Sequence, residues 1–341
     1  MAIAHVRNFK KIRGCKIIAA VDVDQVKAKK FAESHSIPQT FDSVESLLAA
    51  NCIDAVSIVT PDPFHALLSI QCLKAKLHVL CEKPLALSHH DAMRMVEAAK
   101  RAGTVNMVNF SYRDWSCIQK VATLVHAGKI GDIRHVEASY HQSWLVSDEW
   151  GEWRTSPNWL WRLSTSHGSK GTLGDVGVHI FDFATFPAGP IRKVYAQLKA
   201  FPKAPRNRIG EYKLDANDSA VINVEFANGA LGSIQTTRWM GGHLNRLFLK
   251  IAGSEGSIEI DSEKSIDTYR ICTGKNLSTN TWKTVSTGST PSIYQRFIKS
   301  IKSGIQDQPD FARGAEIQKL LDASYASNAQ SKPILVRAQK W

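Results

Sequence analysis

The sequence predicts an α/β domain on a parallel sheet, followed by an α+β domain whose sheet is large and mostly antiparallel. Three observations carry this. Over residues 1–115, short apolar strands alternate with helices of about 10–15 residues, the pattern of βαβ units. Those strands are apolar throughout, as strands are when helices cover both sheet faces. Beyond residue 115, hairpin signals follow one another without intervening helices, which makes the second sheet antiparallel. The first half is therefore Rossmann-like, a dinucleotide-binding domain over 1–115, and 116–341 forms a domain for substrate binding and oligomerisation.

Each element has its own signal. Ile3, Val6, Phe9 and Ile12 recur at helical spacing, and Gly14 stops that helix. An apolar strand follows over Lys16–Val21, then a helix over about Gln25–Ser34, a strand at Gln39–Phe41 and a helix at Ser43–Ala50. Ala55–Thr60 is a strand, His65–Lys74 a helix, Leu77–Cys81 a strand, His89–Ala102 a helix and Val105–Val108 a strand. After the helix Ile118–Ala127 comes a polar, Trp-rich stretch, Trp144 to Lys170. Longer strands then run over Val194–Ala200, Ser219–Phe226, Ala230–Thr237, Leu247–Ala252 and Ser257–Asp261. Asn228-Gly229 separates two of them, the strongest short hairpin signal. Helices at about Tyr294–Ser300 and Gly314–Ala329 close the chain.

Composition narrows the function classes. With 341 residues and 43% apolar, 22% charged, the chain has the make-up of about two packed domains and excludes bulk disorder. No window approaches the roughly 18 uninterrupted apolar residues of a membrane helix, and the start MAIAHVRNFKK is too short in apolar residues for a signal peptide. Six dispersed cysteines without a C-x-x-C pair read as reduced thiols of a cytoplasmic protein, with neither a disulfide framework nor a zinc site. The net charge of +12 suits nucleic acid, an anionic surface or a phosphate-bearing cofactor. The basic runs Lys10-Lys11-Ile12-Arg13 and Lys27-Ala28-Lys29-Lys30 lie on outer helix faces without a recognition motif, so no nucleic-acid partner is expected.

Five features can carry chemistry, each beside a plainer role. Asp22 ends a strand where an acid bonds the ribose hydroxyls of a dinucleotide; a helix cap is the equal alternative, and Asp24 fills that role as well. No Arg or Lys occurs at residues 23–26 to receive a 2′-phosphate, which favours NAD over NADP. Thr60-Pro61-Asp62, with His65 three further on, follows another strand, where parallel sheets place ligands; otherwise Pro61 stops the strand and Asp62 caps a helix. In Cys81-Glu82-Lys83-Pro84, a lysine at a strand's carboxyl end can share protons or stabilise an alkoxide, or simply be solvated. Over Gly171–Asp182, Asp175 and His179 are four apart and share a face if helical; Asp182 can orient the imidazole. A histidine is the natural base for a hydroxyl proton, with packing or metal ligation as alternatives, and no second histidine or cysteine stands at ligand spacing. Finally Trp144, Trp150, Trp153, Trp159 and Trp161 offer faces to sugar C–H surfaces beside Arg162, although most of them suit a packed loop.

In these residues the chain resembles the glucose–fructose oxidoreductase/inositol dehydrogenase (Gfo/Idh/MocA) family nearly end to end. The likeness rests on Asp22, Thr60-Pro61-Asp62-x-x-His65, Glu82-Lys83-Pro84, Asn109-x-x-x-Arg113, Trp161-Arg162 and Gly171-x-x-x-Asp175-x-Gly177-x-His179-x-x-Asp182. It implies Lys83, Asp175 and His179 as the catalytic trio. It further implies Asp22, Thr60, Pro61, Asp62, His65, Glu82 and Lys83 on the cofactor side, with Arg113, Trp161, Arg162, Asp175 and His179 toward substrate. Asp62 stands where many members carry Asn. The family's G-x-G-x-x-G/A loop is absent, with Ala2 matching its last small residue and His5 a histidine of the helix behind it. The expectation is accordingly a chain lacking the first strand and phosphate loop of its Rossmann domain, with Met1 an internal start. The implied activity is that of an NAD(P)-dependent oxidoreductase acting on a secondary alcohol of a sugar, cyclitol or derivative, NAD favoured and no metal. Relatives that recycle NAD while cleaving or epimerising sugars, and a non-catalytic ligand-binding module, are the alternatives. A homo-oligomer, dimer or tetramer, is implied through the open face of the second sheet, where Val221, Asn223 and Glu225 alternate with Ala220, Ile222, Val224 and Phe226.

Overall fold

A computed structural model of the chain describes Met1–Arg337. In chain order the elements begin with α1 (Ala2–Phe9), β1 (Ala19–Val21), α2 (Gln25–Ser34), β2 (Gln39–Phe41) and α3 (Val44–Ala49). Then come β3 (Ala55–Ile58), α4 (His65–Lys74), β4 (His78–Cys81), α5 (His89–Ala102) and β5 (Asn106–Val108). They continue with α6 (Ser116–His126), β6 (Ile133–Gln142), α7 (Pro157–Leu160), α8 (Val178–Ala188), β7 (Ile191–Lys199), β8 (Arg208–Ile209) and β9 (Tyr212–Lys213). Next are β10 (Ser219–Phe226), β11 (Leu231–Thr237), β12 (Asn245–Gly253), β13 (Gly256–Asp261) and β14 (Thr268–Thr273). The last are α9 (Lys275–Ser278), β15 (Lys283–Ser286), α10 (Ile293–Ser303), α11 (Phe311–Gln330) and β16 (Ile334–Leu335).

Two compact units result. The first is Met1–Ser111 with Pro291–Gln318, the second Tyr112–Thr290 with the described residues from Lys319 to Arg337. The sequence boundary after residue 115 assigned all of 291–318 to the second domain, and the structure differs. Ile293, Tyr294 and Phe297 of α10 are buried against Phe9, Leu80, Val105 and Met107, so the segment belongs to the first unit. Each such side chain contributes roughly 1.5–3 kcal/mol when fully buried.

In the first unit all strand pairs are parallel, as the βαβ pattern requires. They form two separate sheets, β1-β2 and β3-β4-β5. Among the described residues no strand pairs with the second edge of β1 or of β3. Only three residues of the apolar run Lys16–Val21 become strand, because β2 offers only three partners, Gln39, Thr40 and Phe41. Helix α1 serves both sheets: Val6 packs with Ala32 and Ile37 beside Ala20, while Phe9 joins the cluster around Leu80. Helix ends follow local chemistry. Asp24 caps α2, accepting N–H bonds from Val26 and Lys27 at 3.1 Å each; Ser88 caps α5, which stops at Gly103 with φ of 67°.

The second unit is built on nine strands in the order β15-β14-β13-β12-β6-β11-β10-β7-β16. Every pairing is antiparallel except β6 with β11. Strand β6 is absent from the sequence reading, since Arg134, His135, Glu137, Ser139 and His141 give it no apolar run. It nevertheless sits at the centre, alternating these residues with buried Val136, Ala138 and Tyr140. The expected alternation of β10 holds: Ala220, Ile222, Val224 and Phe226 are buried, Val221 is exposed. Helix α8, buried on nearly every side, covers the inner face together with α6. All six cysteines are free thiols, and no helix among the described residues is long and apolar enough to cross a membrane.

Candidate active site

The carboxyl ends of β3, β4 and β5 place Thr60, Glu82 and Asn109 one after another in the first unit. His65, fully buried at the start of α4, ties two of these ends together. Its Nδ1 meets the Pro84 carbonyl at 2.8 Å and its Nε2 the Thr60 carbonyl at 2.9 Å. The resemblance puts His65 beside the cofactor; the structure gives it a clasp, holding the loops that carry Thr60 and Lys83. The Lys83–Pro84 peptide is cis.

Glu82 has a similar fate. It is only 5% exposed and spends its carboxylate on protein partners. His5 Nε2 meets Oε1 at 2.8 Å, Asn109 Nδ2 donates to Oε1 at 2.7 Å, and the Lys83 N–H donates to Oε2 at 3.1 Å. The Ser57 hydroxyl lies 2.6 Å from His5 Nδ1 and fixes the ring from its other side. Burial alone would raise the Glu82 pKa; the hydrogen bonds from His5 and Asn109, with the charges of His5 and Lys83, overturn this and hold it at about 2. Glu82 thus supports the backbone of Lys83. Lys83 itself is half-buried.

Two observations bear on a dinucleotide. Asp22, at the end of β1, is exposed; Asp24 performs the cap, and the Asp22 side chain accepts only the Asp24 N–H at 2.9 Å among the hydrogen bonds of this turn. Thr60 Oγ1 is buried with no hydrogen-bond partner. An acid able to take a diol and a hydroxyl awaiting a partner fit a nucleotide in kind. Pro61 is exposed and Asp62 opens a 3-10 turn before α4.

The second unit carries the remaining residues. Gly171, at φ of 66°, lies so close to Asn217 that a Cβ would meet Nδ2 at 2.3 Å. Asn217 then starts the next helix, accepting from Thr172 N at 2.7 Å and from Leu173 N at 3.0 Å. That helix opens with a π-helical turn, Leu173–Gly177, before α8. The i, i+4 spacing of Asp175 and His179 therefore spans a wider turn than the α-helix assumed from sequence, a distortion frequent at functional sites. Asp175 Oδ2 accepts from Arg162 Nη1 at 3.0 Å and from Arg238 Nη2 at 3.1 Å. His179, almost fully buried, stands edge-on to Tyr112 with ring centroids 4.6 Å apart. The Tyr112 and Tyr140 hydroxyls share a short hydrogen bond, and Tyr140 donates to Asn245 Oδ1 at 2.8 Å. Burial, then the neighbouring Tyr112, push the Tyr140 phenol well above its usual pKa. Sequence reasoning missed Tyr112, Tyr140, Asn245 and Arg238, which carry no local motif.

The remaining expected residues also have partners within the protein. Arg113, assigned to substrate by resemblance, is buried in a two-pronged pair with Asp182 and lies 3.7 Å from the Phe186 ring centroid. Asp182 accordingly serves Arg113. Of the five tryptophans, Trp144 and Trp153 are buried with Leu145, Leu160, Leu163 and Leu214, and Trp150 and Trp159 pack against them. Trp161 is 38% exposed, and the Arg162 guanidinium lies over its ring, 4.8 Å from the centroid.

Comparison with known proteins places these units. A family model described as an oxidoreductase family with an NAD-binding Rossmann fold (GFO_IDH_MocA) matches residues 1–110. A second, the GFO/IDH/MocA C-terminal domain, matches residues 118–259. The chain is 28% identical over 313 residues to levoglucosan dehydrogenase of Pseudarthrobacter phenanthrenivorans, covering 82% of this chain and 78% of the relative. It is 28% identical over 260 residues to myo-inositol 2-dehydrogenase of Thermotoga maritima, covering 76% and 71%. Among solved structures, a levoglucosan dehydrogenase complex with NADH and levoglucosan superimposes with a TM-score of 0.88 at 26% identity, covering 99% of this chain and 98% of that one. An oxidoreductase domain protein from Kribbella flavida gives 0.87 at 27%, covering 99% and 96%.

Proposed function

The chain belongs to the Gfo/Idh/MocA family of NAD-binding oxidoreductases, and from that premise we propose that it interconverts a secondary alcohol of a sugar, cyclitol or derivative with its ketone. The observation that carries this reading is the second-unit grouping of His179 with the Asp175–Arg162 pair, whose guanidinium lies over the partly exposed ring of Trp161. A carboxylate–guanidinium pair offers acceptors and donors to vicinal hydroxyls, and an aromatic face covers the C–H side of a ring. Levoglucosan and inositol, named for two relatives, are compounds of this kind.

Bound NAD supplies the electron-pair acceptor for the carbinol carbon. The residues of this chain do the rest. Asp22 takes the ribose diol, the Thr60 hydroxyl finds its missing partner, and Pro61 and Asp62 line the same side. Lys83, anchored by Glu82 and by the His65 clasp, holds the reacting oxygen through its ammonium. His179 removes the hydroxyl proton on oxidation and returns it on reduction. Asp175 and Arg162 hold neighbouring hydroxyls. No metal is required in this scheme.

The cytoplasm, with its reduced thiols and pool of NAD, is the compartment this chemistry suits. A homo-oligomer formed through the outer face of the nine-stranded sheet completes the reading. Val221 and Leu231, 46% and 59% exposed, stand on that face. The test is an NAD-linked activity screen over sugars and cyclitols, read by NADH absorbance. Accumulating NADH with one substrate class supports the dehydrogenase; turnover of a sugar without it indicates internal recycling of the cofactor and overturns this reading.

A further inference from the structure

Arg238 is a fully buried arginine of the second unit, and neither motif nor comparison assigns it a part. It follows β11 directly and its guanidinium is fully buried, 4.8 Å from the Trp144 ring centroid. Nη2 donates to Asp175 Oδ2 at 3.1 Å, and Nη1 donates to the backbone carbonyl of Arg162 at 3.0 Å. That carbonyl also accepts from Ser169 Oγ at 2.6 Å. Oδ2 of the nearby buried Asp218 is paired with Lys203 at 2.8 Å, while its Oδ1 has no hydrogen-bond partner. Arg238 Nε has no hydrogen-bond partner.

We infer that Arg238 is a positioning residue for substrate recognition, one planar fork that sets Asp175 and Arg162 at a fixed spacing from behind. A guanidinium buried for structure alone would satisfy its donors among core acceptors. Here Nη2 reaches the partly open carboxylate of Asp175, Nη1 holds the main chain of Arg162, whose own guanidinium bonds the same carboxylate, and Nε is left over. Because Arg162 and Arg238 converge on the same oxygen of Asp175, the carboxylate cannot rotate without breaking both bonds. Lysine cannot reproduce this, since a point donor does not span two acceptors at fork geometry. The inference rests on the proposed sugar or cyclitol reaction.

The experiment compares Arg238→Met, Arg238→Lys and Asp175→Asn, alone and combined, in the full chain. Expected is a rise of about tenfold or more in sugar KM for R238M, a smaller rise for R238K, and unchanged NAD affinity. In the Asp175→Asn background the R238M effect shrinks to within about threefold, because the two residues act as a unit. Unchanged sugar KM in both Arg238 variants overturns the inference, as do fully multiplicative effects of R238M and D175N. Should R238M fail to fold, R238K and the cycle built on it carry the same reading. If the wild-type protein turns over no sugar or cyclitol, the reaction itself is at fault, and nitrogen-15 spectra of the arginine side chains decide separately. Restricted rotation of the Arg162 guanidinium, lost in R238K, sustains the positioning role; identical Arg162 signals in both proteins overturn it.

Discussion

Arg113 grips Asp182 through two parallel bonds, Nε to Oδ2 at 2.6 Å and Nη2 to Oδ1 at 2.7 Å, with both side chains 4% exposed. Asp182 lies one helical turn after His179, so the pair fixes α8 where the candidate base stands. Removing one partner of a buried pair leaves the other charge stranded, at a cost of about 3–5 kcal/mol. Arg113→Ala is expected to lose that much in urea unfolding, and the double variant Arg113→Met/Asp182→Leu to recover most of it. A change in sugar KM at unchanged stability would instead return Arg113 to the substrate.

Glu82 makes the stability of the first unit depend on acid. Its folded pKa is lowered from 4.5 to about 2. A depressed carboxylate contributes stability that is fully present above its unfolded pKa and is lost as pH falls through the folded one. The window is therefore about pH 4.5 down to 2, and the contribution on the order of 3 kcal/mol. Denaturant unfolding at stepped pH should show this slope in the wild-type protein and a flatter one in Glu82→Gln. Equal slopes would show that the His5 and Asn109 bonds do not hold the charge.

Lys83 and His179 should differ from their surroundings in what they cost. Lys83→Ala and His179→Ala are each expected to lower kcat by roughly a hundred- to ten-thousand-fold while NAD still binds. Stopped-flow turnover with saturating NAD measures this. Near wild-type turnover in either variant removes that residue from the chemistry.

The outer sheet face gives a separate expectation. Val221→Glu with Leu231→Lys places charge on two exposed apolar positions of β10 and β11. Light scattering at micromolar concentration should find the wild-type protein as a dimer or tetramer and the double variant at lower mass. A wild-type monomer contradicts the assembly.

Local signals were legible where local physics decides the outcome. The bounds of α5 follow from Ser88, Gly103 and an amphipathic stretch, and the β10–β11 turn from Asn228-Gly229. Strand β6 was not legible, because a central strand whose outer face stays polar reads as a loop until its neighbours are known. The return of α10 to the first unit pairs surfaces far apart along the chain, Ile293 with Met107 and Phe297 with Phe9, and no window contains both. The candidate site divides the same way. Asp175, His179 and Lys83 stand in motifs, whereas Arg238 and Tyr112 become visible only when β11 and the segment before α6 bring them to Asp175 and His179. Motif membership does not give the role: His65, Glu82 and Arg113 lie inside matching motifs and are buried on protein partners. A motif marks a position's importance without saying whether it touches the ligand or holds what does.

The central claim is that a carbinol C–H of a sugar or cyclitol passes to nicotinamide with His179 as the base. The most direct measurement uses a substrate from the activity screen deuterated at the reacting carbon, incubated with NAD and analysed by mass spectrometry of the reduced cofactor. The account predicts NADH carrying one deuterium, formed more slowly than from the unlabelled substrate, with the label transfer lost in His179→Ala. Product formed without deuterium in the cofactor, or label transfer undiminished in His179→Ala, would contradict it.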